Sequence, residues 1–258
     1  MIRLWTPDVL KINDLLGGQI RLVGGCVRDF LLGQKPQDID ISTTISPKEV
    51  LDRLKQKQIQ CHPITFKHGV VQAVLNGKEF EITTLRREHY INDQEKIEFI
   101  TDYGEDAYRR DFTINALYMD SNGVIYDYFG GQSDLKKRIV RFIGDPAVRM
   151  KEDALRILRY IRFWADFGDS EPDRTVTTLF QNFKSGLKSI SLNRKKKELK
   201  RILTCRRVMP ALTVMRETGV LDEIVSCANI GAFHLFLQQN PKAIDQDRLA
   251  CLGKLITE

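Results

Sequence analysis

The sequence predicts an α+β first half followed by an all-α second half. Two observations carry this. Strand-like runs separated by turn signals are confined to residues 1–130, and helical periodicity takes over after Gly130-Gly131. The expected domains are therefore residues 1–130 and 131–258.

Residues 7–16 carry Val9, Leu10, Ile12, Leu15 and Leu16, the spacing of a short amphipathic helix. Residues 19–23 read as a strand, and Gly24-Gly25 opens a helix over residues 26–32 that stops at Gly33. Residues 38–42 alternate Asp, Ile, Asp, Ile, Ser, which predicts a strand. Ser46-Pro47-Lys48-Glu49 has the form of a capping box with proline at the first helical position, predicting a helix to about Lys57. Residues 69–75 and 78–85 flank Asn76-Gly77, a strong hairpin signal. Residues 86–102 are polar and are expected to form a mobile loop, and a second hairpin is expected around Ser121-Asn122-Gly123. Beyond the boundary, helices are expected over residues 152–165, 175–190 and 194–203, followed by short helices.

With 42% hydrophobic and 29% charged residues, the composition is that of a soluble globular protein rather than a disordered or membrane-spanning one. No apolar run reaches the roughly 18 residues of a spanning helix, and the first residues lack the apolar stretch of a secretory signal. The five cysteines, Cys26, Cys61, Cys205, Cys227 and Cys251, form no Cys-x-x-Cys pair, so reduced thiols in the cytoplasm are expected. None of the four histidines is followed by aspartate, which removes a His-Asp metal hydrolase motif.

Five short stretches carry chemistry. Gly24-Gly25 and then Arg28 join a strand to a helix, either as a phosphate-approach turn or as a plain β-to-α connection. Asp38 and Asp40, two apart on a strand, would present both carboxylates on one face; they fit Mg²⁺ or an exposed strand edge. Glu79 and Glu81 share a face on a later strand, and either could complete a three-carboxylate site. Arg109-Arg110-Asp111-Phe112-Thr113-Ile114-Asn115-Ala116 forms the fourth stretch. In the fifth, Asp153 and Arg156 are expected as neighbours on a helix surface, with Arg159 and Arg162 continuing round it; an ion pair with a solvated basic stripe is the plainer alternative.

The ordered set LVGGCVRDFLLG, QDIDIS, EITTLRR, RRDFTINALY, DYFGGQSDLKKR and EDALRILRYIRF resembles the class II tRNA nucleotidyltransferases, the CCA-adding enzymes and their poly(A) polymerase relatives. The resemblance implies an α+β nucleotidyltransferase head of polymerase-β type with a mixed sheet, then an all-α region for base reading and tRNA binding. It implies addition of C, C and A to a tRNA 3′ end from CTP and ATP, without a nucleic-acid template, by a two-metal Mg²⁺ mechanism. By the same resemblance Asp38 and Asp40 hold metal and Glu81 is the third catalytic carboxylate, while Gly25, Arg28 and Arg110 contact the nucleotide. Asp153 and Arg156 read the base, and Arg159 and Arg162 belong to the nucleotide site. A CC-adding enzyme or a poly(A) polymerase of the same family is the alternative, and a non-catalytic RNA-binding module the rival outside the enzymes. The stretch REHYINDQEKIEFITDYGED lacks the basic Arg-His patch usual there in the family. The chain is expected to be a compact form without the HD domain of some relatives, and no obligate protein partner is evident.

The net charge of +6 divides unevenly, with 16 basic against 19 acidic residues (−3) up to residue 130 and 24 against 15 (+9) beyond it. Between Lys184 and Arg207 lie ten basic residues and one acidic residue, Glu198. Arg194, Lys195, Lys196, Lys197, Lys200 and Arg201 fall within that segment and are expected to contact tRNA phosphates; a solvated helix face is the plainer alternative.

Overall fold

The computed structural model describes residues 4–91, 94–226 and 228–256; Cys227 lies outside them. The chain divides into two units, Met1–Leu135 and Lys136–Glu258.

The first unit is built on a seven-stranded mixed sheet. Its elements are α1 (Pro7–Leu15), β1 (Ile20–Val23), α2 (Gly25–Leu31), β2 (Asp40–Thr43), α3 (Pro47–Gln56), β3 (Gln60–Thr65), β4 (Val70–Leu75), β5 (Lys78–Thr84), β6 (Arg86–Ile91), β7 (Gln94–Phe99), α4 (Tyr103–Tyr108), β8 (Leu117–Met119), β9 (Ile125–Asp127) and α5 (Gly131–Lys136). The strand order is β3-β4-β5-β2-β1-β8-β9, and β2 and β5 are the parallel pair. Local chemistry explains the helix starts. The Thr6 and Ser46 hydroxyls accept from the amides of Val9 and Glu49, with Pro7 and Pro47 at the first helical positions. Asn76 and Gly77 take φ of 50° and 72°, the left-handed pair that a two-residue hairpin turn requires between β4 and β5. Val9, Ile12, Leu22, Val27, Ile41, Leu54, Val71 and Ile82 are buried in the core that these elements share.

Residues 86–102 are not a loop along their length. β6 and β7 pair antiparallel as a separate hairpin, with Arg87 opposite Glu98 and their side chains 3.3 Å apart. Opposite charges across the two strands replace the apolar alternation that usually marks a hairpin.

The second unit contains α6 (Pro146–Glu152), α7 (Leu155–Phe167), α8 (Arg174–Phe183), α9 (Leu192–Leu203), α10 (Val208–Glu217), α11 (Ile230–Gln239) and α12 (Asp245–Leu252), plus a two-residue strand pair of Val225–Ser226 with Lys254–Leu255. α7 is buried along most of its length, through Leu155, Ile157, Leu158, Tyr160, Ile161, Phe163, Trp164 and Ala165, and it packs on α9 and α10.

Two expected helices have different bounds from those their periodicity implied. The first starts at Leu155 rather than Glu152 and runs on to Phe167, because the backbone of Asp153 is extended and its carboxylate caps the amide of Leu155 at 3.0 Å. The second ends at Phe183 and continues as a 3-10 turn over Lys184–Ser189. There a Cβ on Gly186 would lie 2.9 Å from Cβ of Ala154, so glycine permits the close approach. Among the described residues no helix is long and apolar enough to cross a membrane.

Candidate active site

In the head, the sheet order brings three motifs that are distant in sequence to neighbouring strands. β2 and β5 pair so that Asp40 stands beside Glu81, with adjacent strands about 4.8 Å apart. Of the two glutamates, Glu79 accepts from Gln72 at 2.7 Å, and Glu81 is the one in register with Asp40.

Asp38 is not on the strand. β2 begins at Asp40, and Asp38 sits in the bend before it. β1, the neighbour on the other side, ends at Val23 where the chain turns into α2, so Asp38 has no β1 residue beside it. Asp38 is still near enough to act on Asp40. Burial raises the Asp40 carboxyl above the usual range, Glu81 and Asp38 push it the same way, and Arg110 and Arg28 oppose them. Asp38 and Glu81 are exposed and Asp40 is half-buried.

Among the described residues, no group of three or more histidine, cysteine, aspartate or glutamate side chains is placed to hold a metal ion by itself. The donor set nevertheless suits Mg²⁺. Its ligands are oxygens, and Mg²⁺ is commonly held by one or two carboxylates together with substrate phosphates and water rather than by an all-protein cage.

The turn into α2 supplies the positive counterpart. Gly24 has φ +76°, a conformation that favours glycine, and a Cβ there would lie 3.4 Å from Nη1 of Arg110. Arg28 donates through Nη1 to Asn115 Oδ1 at 2.6 Å and through Nη2 to Asp29 at 2.8 Å. A Cβ on Gly25 would be 3.6 Å from that same Nη2. Arg28 and Arg110 therefore both border the Gly-Gly turn. α2 is only seven residues long, and these two guanidiniums are the positive groups at the turn.

Sequence reasoning did not single out Asp29, Asp106, Asn115 or Tyr118, the partners that hold these arginines. Asp106 stands three and four residues before Arg109 and Arg110, a spacing that signals side-chain pairing on a helix.

The helical unit carries the other expected site residues. The Asp153 and Arg156 side chains are not paired as helix-surface neighbours, because the break at Asp153 turns its carboxylate away. Its Oδ2 receives Arg194 at 2.7 Å, while Arg156 bonds Glu152 and, at 2.9 Å, the Arg149 carbonyl. Glu198, on α9, is buried. It pairs with Arg162 at 2.8 Å, Arg201 at 3.6 Å and Arg159 at 3.8 Å. Burial lowers the Arg162 guanidinium from its ordinary value, and Glu198 opposes the shift.

The basic segment is only partly available to an anionic partner. Lys195 is buried, 4% exposed, because it falls on the face of α9 that also carries Leu199 and Ile202 into the core. Its expected phosphate contact is therefore corrected. Lys200 pairs with Asp245 at 2.9 Å, and Arg194 and Arg201 hold the pairs already described. Lys196 and Lys197 are exposed.

Residues 20–141 match the poly A polymerase head domain. The CCA tRNA nucleotidyltransferase 1, mitochondrial, of Mus musculus is 39% identical over 234 residues, covering 88% of this chain and 54% of that protein. A crystal structure of the Bacillus stearothermophilus CCA-adding enzyme in complex with CTP superposes with a TM-score of 0.76 at 33% identity, covering 85% of this chain and 53% of that one. The Thermotoga maritima CCA-adding enzyme complexed with tRNA superposes with a TM-score of 0.74 at 26% identity, covering 96% of this chain and 62% of that one. The chain spans about half the length of the curated relatives it matches.

Proposed function

The chain belongs to the class II tRNA nucleotidyltransferases, with their poly A polymerase head domain, and from that premise we propose that it adds C, C and A to a tRNA 3′ end from CTP and ATP. The observation that carries the reading is the pairing of Asp40 with Glu81 on adjacent strands, near a Gly-Gly turn bordered by Arg28 and Arg110.

Asp38 and Asp40 are the residues that would hold Mg²⁺, with Glu81 as the third carboxylate beside Asp40. Bound there with the substrate phosphates, Mg²⁺ would supply activation of the tRNA 3′-hydroxyl and charge neutralisation at the leaving pyrophosphate. Arg28 and Arg110 bind and orient the nucleotide's phosphates, and phosphoryl transfer requires little else of a protein. Asn115 and Asp29 keep the Arg28 fork aimed.

Base choice follows from hydrogen-bond polarity at Asp153 and Arg156. Cytosine and adenine each offer a ring-nitrogen acceptor beside an amine donor, which suits an arginine donor beside an aspartate acceptor. Uracil and guanine present the reverse order and leave groups unpaired, at a cost of about 1–3 kcal/mol per buried group. To read a base, Asp153 gives up its exposed partner Arg194, and Arg156 turns donors from Glu152. Arg159 and Arg162 complete the nucleotide site, and Glu198 holds both in place. Lys196 and Lys197 contact tRNA phosphates.

The cytoplasm is the compartment we assign. Cys26, Cys61, Cys205 and Cys251 are free thiols, as a reducing compartment allows; the location in the mouse relative's name would suit them equally.

The test is a tRNA lacking its 3′ CCA, incubated with Mg²⁺ and CTP, ATP or both, with the ends then sequenced. Full CCA is expected. A stop at CC favours the CC-adding alternative, to which the missing Arg-His patch in residues 87–106 points. Adenosine tails on any RNA favour a poly(A) polymerase. Absence of incorporation with intact RNA binding favours the non-catalytic module.

A further inference from the structure

Asp106 is fully buried, and its two carboxylate oxygens have separate tasks. Oδ1 accepts from the Arg86 amide at 3.1 Å, at the root of the β6–β7 hairpin, and from Nε of Arg109 at 2.9 Å. Oδ2 accepts from the Tyr118 hydroxyl at 2.7 Å and from Nη2 of Arg110 at 3.3 Å. The circuit closes because Nε of Arg110 donates to the same Tyr118 oxygen at 3.1 Å. One edge of the Arg110 fork is thus held by two groups, while Nη1 lies over Gly24.

Tyr118 is itself fixed. It is buried on β8 and meets the rings of Tyr103 and Tyr128 edge-on, with centroids 5.4 and 6.0 Å away. Burial alone would raise the Asp106 carboxyl; Arg109, Arg110 and the Tyr118 hydroxyl outweigh it and hold the group at about 2. The site therefore contains a buried carboxylate whose two oxygens are both taken up by protein donors, among them the arginine expected to touch the nucleotide. An ion pair inside a helix turn would need neither the tyrosine nor the second oxygen.

We infer that Asp106, acting with Tyr118, is a positioning residue that fixes the Arg110 guanidinium over the Gly24-Gly25 turn and thereby sets nucleotide affinity. The inference rests on the nucleotide role of Arg110 proposed above.

The test uses the full chain and four variants, Asp106→Asn, Tyr118→Phe, Arg110→Ala and the Asp106→Asn/Arg110→Ala double variant. The readouts are the Kd for CTP with Mg²⁺ and KM and kcat on tRNA lacking CCA. Asp106→Asn and Tyr118→Phe are each expected to weaken CTP binding and raise KM by about tenfold, with a smaller change in kcat. In the Arg110→Ala background, Asp106→Asn should add less than about twofold. Equal factors in both backgrounds would show that Asp106 supports the fold alone and would overturn the inference. Tyr118→Phe removes only a hydroxyl and serves if Asp106→Asn does not fold.

A second readout is independent of activity. The Arg110 Nε–H signal in a ¹⁵N–¹H spectrum should be protected in the wild type and shifted, with faster exchange, in Asp106→Asn and Tyr118→Phe. An unchanged signal overturns the positioning role. If the wild type neither binds CTP nor extends tRNA, the proposed function fails, and this signal alone decides whether Asp106 positions Arg110.

Discussion

In the head, Asp38, Asp40 and Glu81 form no ion pair with a described lysine or arginine, and the first and last face solvent. In the helical unit, every arginine expected at the nucleotide site has a carboxylate partner. Arg156 has Glu152, and Arg159 and Arg162 share Glu198. The head thus keeps carboxylates that repel one another and are only partly offset by Arg110 and Arg28, an arrangement suited to a cation. The helical unit is already neutralised, and on the proposed function it would have to exchange partners to read a base.

The contrast can be broken most severely in the head. Asp40→Ala should lower nucleotide incorporation by about a thousandfold while tRNA binding, measured by filter retention, stays near the wild-type value. Retained turnover would mean that the pairing with Glu81 is only structural.

The helical unit should respond in stability instead. Glu198→Gln leaves Arg162 and Arg159 without their buried counter-charge, and should cost about 3 kcal/mol in urea unfolding. A neutral result would show that these arginines are solvated without Glu198.

A smaller effect is expected at Lys196 and Lys197. Replacing both with alanine should weaken tRNA binding a few-fold and flatten the slope of log K against log salt by about 1–2. Lys195→Ala should leave that slope unchanged, because Lys195 is buried.

The smallest effect concerns pH. The Asp106 carboxyl is held at about 2 in the folded chain against 3.8 ordinarily. A depressed carboxyl stabilises above its unfolded value, and that contribution is lost as pH falls from 3.8 toward about 2. Acid titration of stability should therefore be steeper for the wild type than for Asp106→Asn across that window, and identical curves would remove the effect.

Much of the head was legible because its motifs combine chemistry with backbone demands. Gly24-Gly25, Asn76-Gly77 and Ser46-Pro47 each require one local conformation, and each adopts it. What stayed hidden depends on partners distant in sequence. The β6–β7 hairpin is held by charge pairs such as Arg87 with Glu98, which read in sequence as a polar loop. Asp38 fell outside its strand, in the bend before β2. Asp153 caps a helix that starts at Leu155, although the expected helix was counted from Glu152. Lys195 looked like part of a solvated charge run, yet the turn of α9 carries it inward beside Leu199. Asp106 drew no notice, because its burial depends on partners such as Tyr118, twelve residues on.

The central claim is that the head performs the transfer and the helical unit chooses the base. Its most direct test runs wild type, Asp40→Ala and Asp153→Asn side by side on tRNA lacking CCA, with each of the four nucleoside triphosphates. The account predicts that Asp40→Ala incorporates none of them, whereas Asp153→Asn still incorporates nucleotide and now accepts UTP. An active Asp40→Ala, or an Asp153→Asn that loses turnover yet still rejects UTP, would contradict it.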